Sequence, residues 1–364
     1  MKIICINKNL NLGLEICSRI IGSANSLPVL NNVLLQTDNG RLKMSTTNLE
    51  LATTTWVGGK IEEEGEITVP ARLLSDYVKN LLGEKITLVS KNQTLFLEGE
   101  KAQTHIKGLS AEEFPLIPKT GEEVYGKIEG EKLRGAIREV GFAAAYSETQ
   151  PEISGTLFYF EEKKLTLAAT DRYRLAEAEI EIEGGGEGVR RMIVPKQAVG
   201  EIGRVVGEGT VEVILSEGQI CFKTDATQLI SRLIEGQYPD YKQIIPQGFS
   251  TVAAVDREEL VQALKGASLF ATENNNVELE INPSGKRVLI KSQSAQVGDS
   301  EIRVDASITG EKNAIIFNHR YLLDCLGNLS DERVEMKVIN NTSPVLFVPV
   351  GRDNYLYVVM PIKA

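Results

Sequence analysis

Apolar residues recur at three- and four-residue spacing in six stretches of the chain. The first series is INKNLNLGLEICSRII from Ile6, IEGEKLRGAIREVGFAA from Ile128 and VDREELVQALKGASLF from Val255. The second is VPARLLSDYVKNLLG from Val69, VPKQAVGEIGRVVG from Val194 and FNHRYLLDCLGNLS from Phe317. One apolar face per helical turn predicts helices over 8–21, 71–81, 131–142, 195–206, 257–268 and 319–329. Between and after them the pattern changes to strict alternation broken by turn residues, as in LLQTDNGRLKMSTTNLELATTTW and TVEVILSEGQICFKT, which predicts strands and hairpins.

The pattern is periodic at a longer scale. The first helical series starts 122 and then 127 residues apart, and the second 125 and then 123. A closing signature follows each unit: FPLIP from Phe114, YPDYKQIIP from Tyr238 and YVVMPI from Tyr357. Three landmarks with one period define three tandem repeats. Each repeat reads as helix, strands, helix, strands, an α+β domain with helices packed on antiparallel sheets. Pro and Gly gather at PKTGEEVYG and PQGFST, which places the domains at 1–121, 122–249 and 250–364.

Composition narrows the function classes. The 364 residues are 42% hydrophobic and 25% charged, which fits folded domains, and no apolar run is long enough to span a membrane. The N-terminus lacks a signal-peptide layout, so a cytosolic protein is expected. Cys5, Cys17, Cys221 and Cys325 are scattered without a CxxC pair, which predicts buried thiols and no metal or disulfide framework; no cofactor is implied. The two histidines, His105 and His319, sit in no catalytic motif. GGGEG at 184–188 lacks the Lys and Ser/Thr of a phosphate loop and reads as a hairpin loop. In EEEGE from Glu62, adjacent strand carboxylates point to opposite faces, so a solvated turn is expected there. TDRYR at 170–174 is the densest polar cluster and reads as a surface loop or peptide pocket rather than an active site.

The net charge of -10 argues against a protein that holds nucleic acid by bulk charge. Its distribution does not. The six helical windows hold twelve basic and eight acidic residues, +4 in all, and the remainder carries -14. Helix exteriors are ordinarily charged and three of those acids sit in first turns, where the dipole favours them; the sharper reading is a mildly positive helical lining inside an acidic shell. At ordinary helix spacing, six helices around a circle enclose only roughly 10 Å, whereas twelve, from two chains, enclose roughly 28 Å and pass a duplex with a layer of water. The lining residues are Arg19, Arg72, Lys79, Lys132, Arg134, Arg138, Lys196, Arg204, Lys265 and Arg320.

With these landmarks in order, the sequence resembles the bacterial DNA polymerase III beta subunits, the processivity sliding clamps. The resemblance runs from MKI through LPVLNNVLLQT, TTNLEL, VPARLL, SETQPEISG, ATDRYRLA, VPK, YPDY and FNHRYLLDCL to YVVMPI. It implies a three-domain chain that pairs head to tail with a second copy into a ring around duplex DNA, reads no sequence and catalyses nothing. It implies a cleft between the second and third domains that takes a short Gln, Leu and Phe type motif from polymerase, clamp-loader and repair proteins. On matching positions the cleft is Ile153, Thr170, Arg174, Leu175, Pro239, Ile244, Asn318, Tyr321, Val358, Met360 and Pro361, and the dimer contact sets Leu269 and Phe270 against Ile106 of the other chain. The chain departs from the family's usual pattern at Arg172, Tyr173 and Gln243, and at Ala24, which matches a loop arginine that contacts DNA in some members. Two other readings stay open at this point: a tandem scaffold that binds only proteins, and an enzyme built on TDRYR.

Overall fold

The structure is a computed structural model that describes residues 1–22, 27–118, 120–121, 123–186, 188–271 and 275–362. Ala24 lies outside the described residues. Each repeat contributes eight strands and two helices among them. The first holds β1 (Lys2–Ile6), α1 (Asn7–Ser18), β2 (Asn32–Asp38), β3 (Arg41–Thr47), β4 (Leu51–Glu63), β5 (Glu66–Pro70), α2 (Ala71–Lys79), β6 (Lys85–Lys91), β7 (Thr94–Glu98) and β8 (Gln103–Lys107). The second holds β9 (Gly126–Glu129), α3 (Gly130–Gly141), β10 (Gly155–Glu161), β11 (Lys164–Thr170), β12 (Arg174–Glu181), β13 (Arg190–Pro195), α4 (Lys196–Val205), β14 (Thr210–Ser216), β15 (Gln219–Lys223) and β16 (Thr227–Arg232). The third holds β17 (Thr251–Asp256), α5 (Arg257–Ser268), β18 (Asn276–Asn282), β19 (Arg287–Ser294), β20 (Gly298–Gly310), β21 (Asn313–Asn318), α6 (His319–Asn328), β22 (Arg333–Val338), β23 (Val345–Pro349) and β24 (Tyr355–Val359). Two expected helices are shorter than their apolar pattern: α1 ends at Ser18, whose hydroxyl bonds back to the Leu14 carbonyl at 2.6 Å, and α2 ends where the Asn80 N–H turns back to the Tyr77 carbonyl.

Local sequence accounts for the layering. In the first repeat Leu10, Leu14 and Cys17 of α1 and Leu74 and Val78 of α2 are buried against Leu35, Leu42, Met44 and Leu88 of the sheet. Gly13 sets how closely α1 lies on it, because a Cβ there would stand 2.2 Å from Met44 Cε and 3.0 Å from Val57. All four cysteines are buried free thiols, with Cys17 and Cys325 pushed up to about 12 by burial.

The chain forms two compact units that do not follow the repeat boundaries. One comprises Met1–Arg134, Ile182–Gly186 and Gly200–Leu233, the other Gly135–Glu181, Glu187–Val199 and Ile234–Ala364. Backbone pairing explains the division. In the first unit β4 pairs with β16, so a 12-stranded sheet runs β8-β7-β6-β1-β4-β16-β15-β14-β9, with β3, β2 and β5 attached through β4. In the second, β12 pairs with β24 within a 12-stranded sheet ordered β13-β10-β11-β12-β24-β23-β22-β17-β20-β19-β18-β21. Strands of the middle repeat are thus divided between the two sheets.

The two strand joins follow one rule. The turn before β4 and the turn before β12 are the same device: Leu49 and Arg172 both sit at positive φ, 77° and 78°. Thr47 and Thr170 hydroxyls donate to the carbonyls of Leu51 and Arg174 at 3.0 and 2.7 Å, and the Asn48 and Asp171 side chains accept the next free N–H groups. Beyond each turn the incoming strand continues the ladder, Arg232 N–H to the Glu50 carbonyl and Met360 N–H to the Tyr173 carbonyl, both at 2.8 Å. The directly opposed pairs are Ala52 with Ile230 and Leu175 with Val358.

The residues after the last strand of each repeat also share one task. Leu109, Ile234 and Ile362 donate their N–H groups to Thr68, Ile193 and Ile316, at 2.9, 2.9 and 2.8 Å, and so cover the outer edges of β5, β13 and β21. β5, β9, β13 and β21 thus carry one bridge or hydrogen bond on their outer side, whereas among the described strands β8 pairs only with β7 and the 298–304 part of β20 only with β19.

Candidate functional site

Arg174, the first residue of β12, is the centre of the cluster that the sequence motif TDRYR announced. Its Nε meets Asp171 Oδ2 at 2.9 Å and its Nη1 meets Asp324 Oδ2 of α6 at 2.6 Å. The guanidinium lies over the ring of Tyr321, 4.6 Å from its centroid, and 5.5 Å from that of Phe142. Burial works against its charge, but the Asp324 hydrogen bond and the neighbouring acids outweigh it, and its pKa is raised. Asp171 also accepts the N–H groups of Tyr173 and Arg174, at 3.0 and 3.1 Å. Thr170 and Asp171 are therefore spent on holding a turn and a flat cation, which suits a binding platform.

Around this centre the structure brings together Thr170, Arg174, Leu175, Tyr321, Val358 and Met360. Tyr173, 60% exposed, stacks on Tyr321 with centroids 6.4 Å apart. Met360 is tied by its N–H to Tyr173 and leaves its side chain partly exposed. Asn318 caps α6 by accepting the Arg320 N–H at 3.0 Å, one residue row from Tyr321, and Pro361 follows Met360. Three expected lining residues differ in role. Ile153, Leu175 and Val358 are buried, the last two beneath Tyr238 and Tyr241 of the segment that leaves β16. Pro239 is exposed on that segment but lines a separate cavity of about 480 Å³ with Leu157, Tyr159, Arg191, Ile193 and Lys242. Ile244 is exposed. The apolar surface actually offered is Tyr173, Tyr321, Ile244 and Met360, while Leu175 and Val358 belong to the buried cluster that includes Tyr238 and Tyr241.

The expected charge lining divides by how each cation is used. Lys79, Arg138, Lys265 and Arg320 are exposed and make no ion pair among the described residues. Arg19 lies 3.8 Å from Glu15, Lys132 3.2 Å from Glu129, and Arg204 pairs with Glu201. Arg72 and Arg134 brace the first unit by donating to the carbonyls of Ile21 and Val206, at 3.0 and 2.9 Å. Lys196 is the exception. Its ammonium donates to the Ala144 carbonyl at 2.6 Å and sits 3.9 Å from the Tyr146 ring centroid, and burial, then the Arg174 charge, lower its pKa. It belongs to the Arg174 surroundings rather than to a free lining.

Sequence reasoning missed Asp324, Phe142 and Tyr238. Asp324 stands 150 positions from Arg174 on an ordinary helix face, and nothing in the pattern pairs them. Asp171 lay in plain view within TDRYR, and its work is to fix the turn. Outside this cluster, no group of three or more His, Cys, Asp or Glu that could hold a metal occurs among the described residues, and no helix among them is long and apolar enough to cross a membrane.

Three repeats of two helices and eight strands, joined strand to strand within each sheet, set the architecture that the family comparison identifies. Residues 1–118, 127–240 and 242–363 match the N-terminal, central and C-terminal domain models of the DNA polymerase III beta subunit. The chain belongs to that family, the beta sliding clamps, which are processivity factors and not enzymes. It is 33% identical to the beta sliding clamp of Synechococcus elongatus over 372 residues, covering 100% of this chain and 99% of that one, and 32% identical to that of Synechocystis over 393, with the same coverage. The crystal structure of the DNA polymerase sliding clamp from Bacillus subtilis superposes with a TM-score of 0.94 at 25% identity, covering 100% of this chain and 99% of that one. The DNA polymerase III beta subunit from Pseudomonas aeruginosa superposes at 0.93 with 27% identity, both chains covered fully.

Proposed function

We propose that two copies of this chain close head to tail into a ring of six repeats that encircles duplex DNA without reading its sequence and tethers the replicative polymerase, the clamp loader and repair proteins. The single observation that supports ring closure is the pair of unpaired strand sides. Wherever a repeat is followed by another in the chain, the next repeat's last strand lies on its long fourth strand, β16 on β4 and β24 on β12. The third repeat's equivalent, β20, has 13 residues like β4 and lacks that neighbour, and the first repeat's last strand, β8, lacks the strand to lie on. Heterologous contacts of this kind close when the rotation per repeat allows it. The exposed cations Lys79, Arg138, Lys265 and Arg320 supply phosphate contacts that carry no base information.

Topology provides the test. Loaded onto a nicked circular duplex by a clamp loader, the protein should stay on the DNA through gel filtration in moderate salt and leave when the circle is linearised. Equal retention on circular and linear DNA would mean ordinary side binding and would sink the encirclement reading.

Tethering is assigned to the Arg174 platform, where exposed aromatic and apolar groups lie beside backbone and fixed charges, the mixture a short peptide needs. In a titration with a fluorescent Gln, Leu and Phe type peptide, Met360→Ala and Tyr321→Ala should each weaken binding about five- to 150-fold, the loss of one apolar anchor. Unchanged affinity with an intact fold would place partners elsewhere.

A further inference from the structure

The repeat rule that supports ring closure also fixes its register. We infer that β8 of one copy lies antiparallel on β20 of the other with His105 directly opposite Asp299, so that ring closure strengthens when this histidine takes up a proton. The inference rests on the head-to-tail reading above. In β4 and β20 the same offset of 247 relates Leu51–Glu63 to Gly298–Gly310, and their ladders with β1 and β17 agree: Cys5 opposes Gly59 where Val255 opposes Ala306. In β16 and β8 the preceding hairpins superpose Ser216 and Gln219 on Lys91 and Thr94, which sets Ile230 on His105. Transferring the observed pair of Ala52 with Ile230 then gives Asp299 with His105.

The contrast between the joins is chemical. The two joins inside the chain carry apolar pairs at this position, Ala52 with Ile230 and Leu175 with Val358. The join between copies carries a carboxylate and an imidazole, both exposed in the single chain. On the face of His105 stand Gln103 and Lys107 of β8, and Phe96, Thr94 and Glu98 of β7, with the Phe96 ring centroid 6.1 Å away. From the other copy it would meet Asp299 and Glu301, with Gln293 and Lys291 of β19 behind them, and Lys291 is already engaged by Glu280 at 2.5 Å. Glu301 is already paired with Arg303 of its own strand at 3.6 Å, which leaves Asp299 as the carboxylate directly opposite the histidine. Only the cationic imidazole attracts a carboxylate set opposite it, and imidazoles change charge between about pH 5 and 8. The attraction across the junction is therefore expected at pH 6 and is lost as the proton leaves toward pH 8.

Two such contacts per ring, each of the modest size of an exposed ion pair, should make the dimer dissociation constant about two- to thirtyfold larger at pH 8 than at pH 6. Sedimentation equilibrium across that range measures it in the full chain. His105→Gln and Asp299→Asn should each flatten the pH slope, and His105→Arg should hold the tight value at pH 8. A dimer whose slope is the same in His105→Gln as in the parent overturns this inference and leaves ring closure standing. A parent that sediments as a monomer at every pH overturns both.

Discussion

Leu269→Asp should turn the assembly into single chains. Leu269 follows α5 and is 76% exposed, an unusual place for a leucine. Its counterpart after α3 is Phe142, which packs on Tyr357 of the adjoining repeat with centroids 5.9 Å apart and lies beneath Arg174. The same relation applied between copies sets Leu269, with Phe270 beside it, against the inner side of β8. Ile106 there is only 5% exposed, so its side chain serves mainly its own core, and β8 would offer Leu269 a rim of that core together with its backbone edge. An unpaired carboxylate buried in this contact costs roughly 3 kcal/mol at each junction, and two junctions weaken the dimer by roughly four orders of magnitude. Because the site is open in the single chain, circular dichroism should not change, and melting should lose only what assembly itself contributes. Sedimentation as an unaltered dimer would refute the assignment.

Arg352→Ala should cost more stability than any other charge deletion considered above. Arg352, between β23 and β24, holds the two carboxylate oxygens of Glu139 at 3.0 and 2.8 Å and Asp331 Oδ2 at 2.8 Å. Glu139 lies on α3 of the preceding repeat and is 5% exposed, so this fork joins two repeats through a buried anion. Removing the guanidinium strands that carboxylate at a cost of about 3 to 5 kcal/mol, whereas replacing both partners, as in Glu139→Gln with Arg352→Met, should recover most of the loss. Urea unfolding of parent, single and double variants measures both. A single variant as stable as the parent would show the fork to be idle.

The repeat plan was legible because helical spacing and strand alternation are local, and a core face shows itself once per turn or once per two residues. Leu10, Leu14, Leu74 and Val78 are buried where that pattern put them. What the pattern cannot carry is pairing across distance. Nothing local says that β16 continues β4, that Arg352 reaches Glu139 213 positions away, or that the middle repeat is divided between two sheets. The platform was half legible: TDRYR marked the turn, and resemblance supplied Tyr321 and Met360, but the burial of Leu175 and Val358 follows from a segment laid over them by Tyr238 and Tyr241. Lys196 shows the limit of counting charge by helix, since its position at the start of α4 points the ammonium into a carbonyl and a ring.

The unpaired sides of β8 and β20 are complementary but not alike, which gives every chain a polarity, one acceptor end and one donor end. On the proposed head-to-tail pairing, growth by such ends stops at two only if six repeats bring the last end back to the first. A substitution that tilts the junction without weakening it would therefore yield neither rings nor monomers, but open filaments lengthening with concentration. A chain with one end blocked would act as a terminator, holding such filaments short in proportion to its share of the mixture.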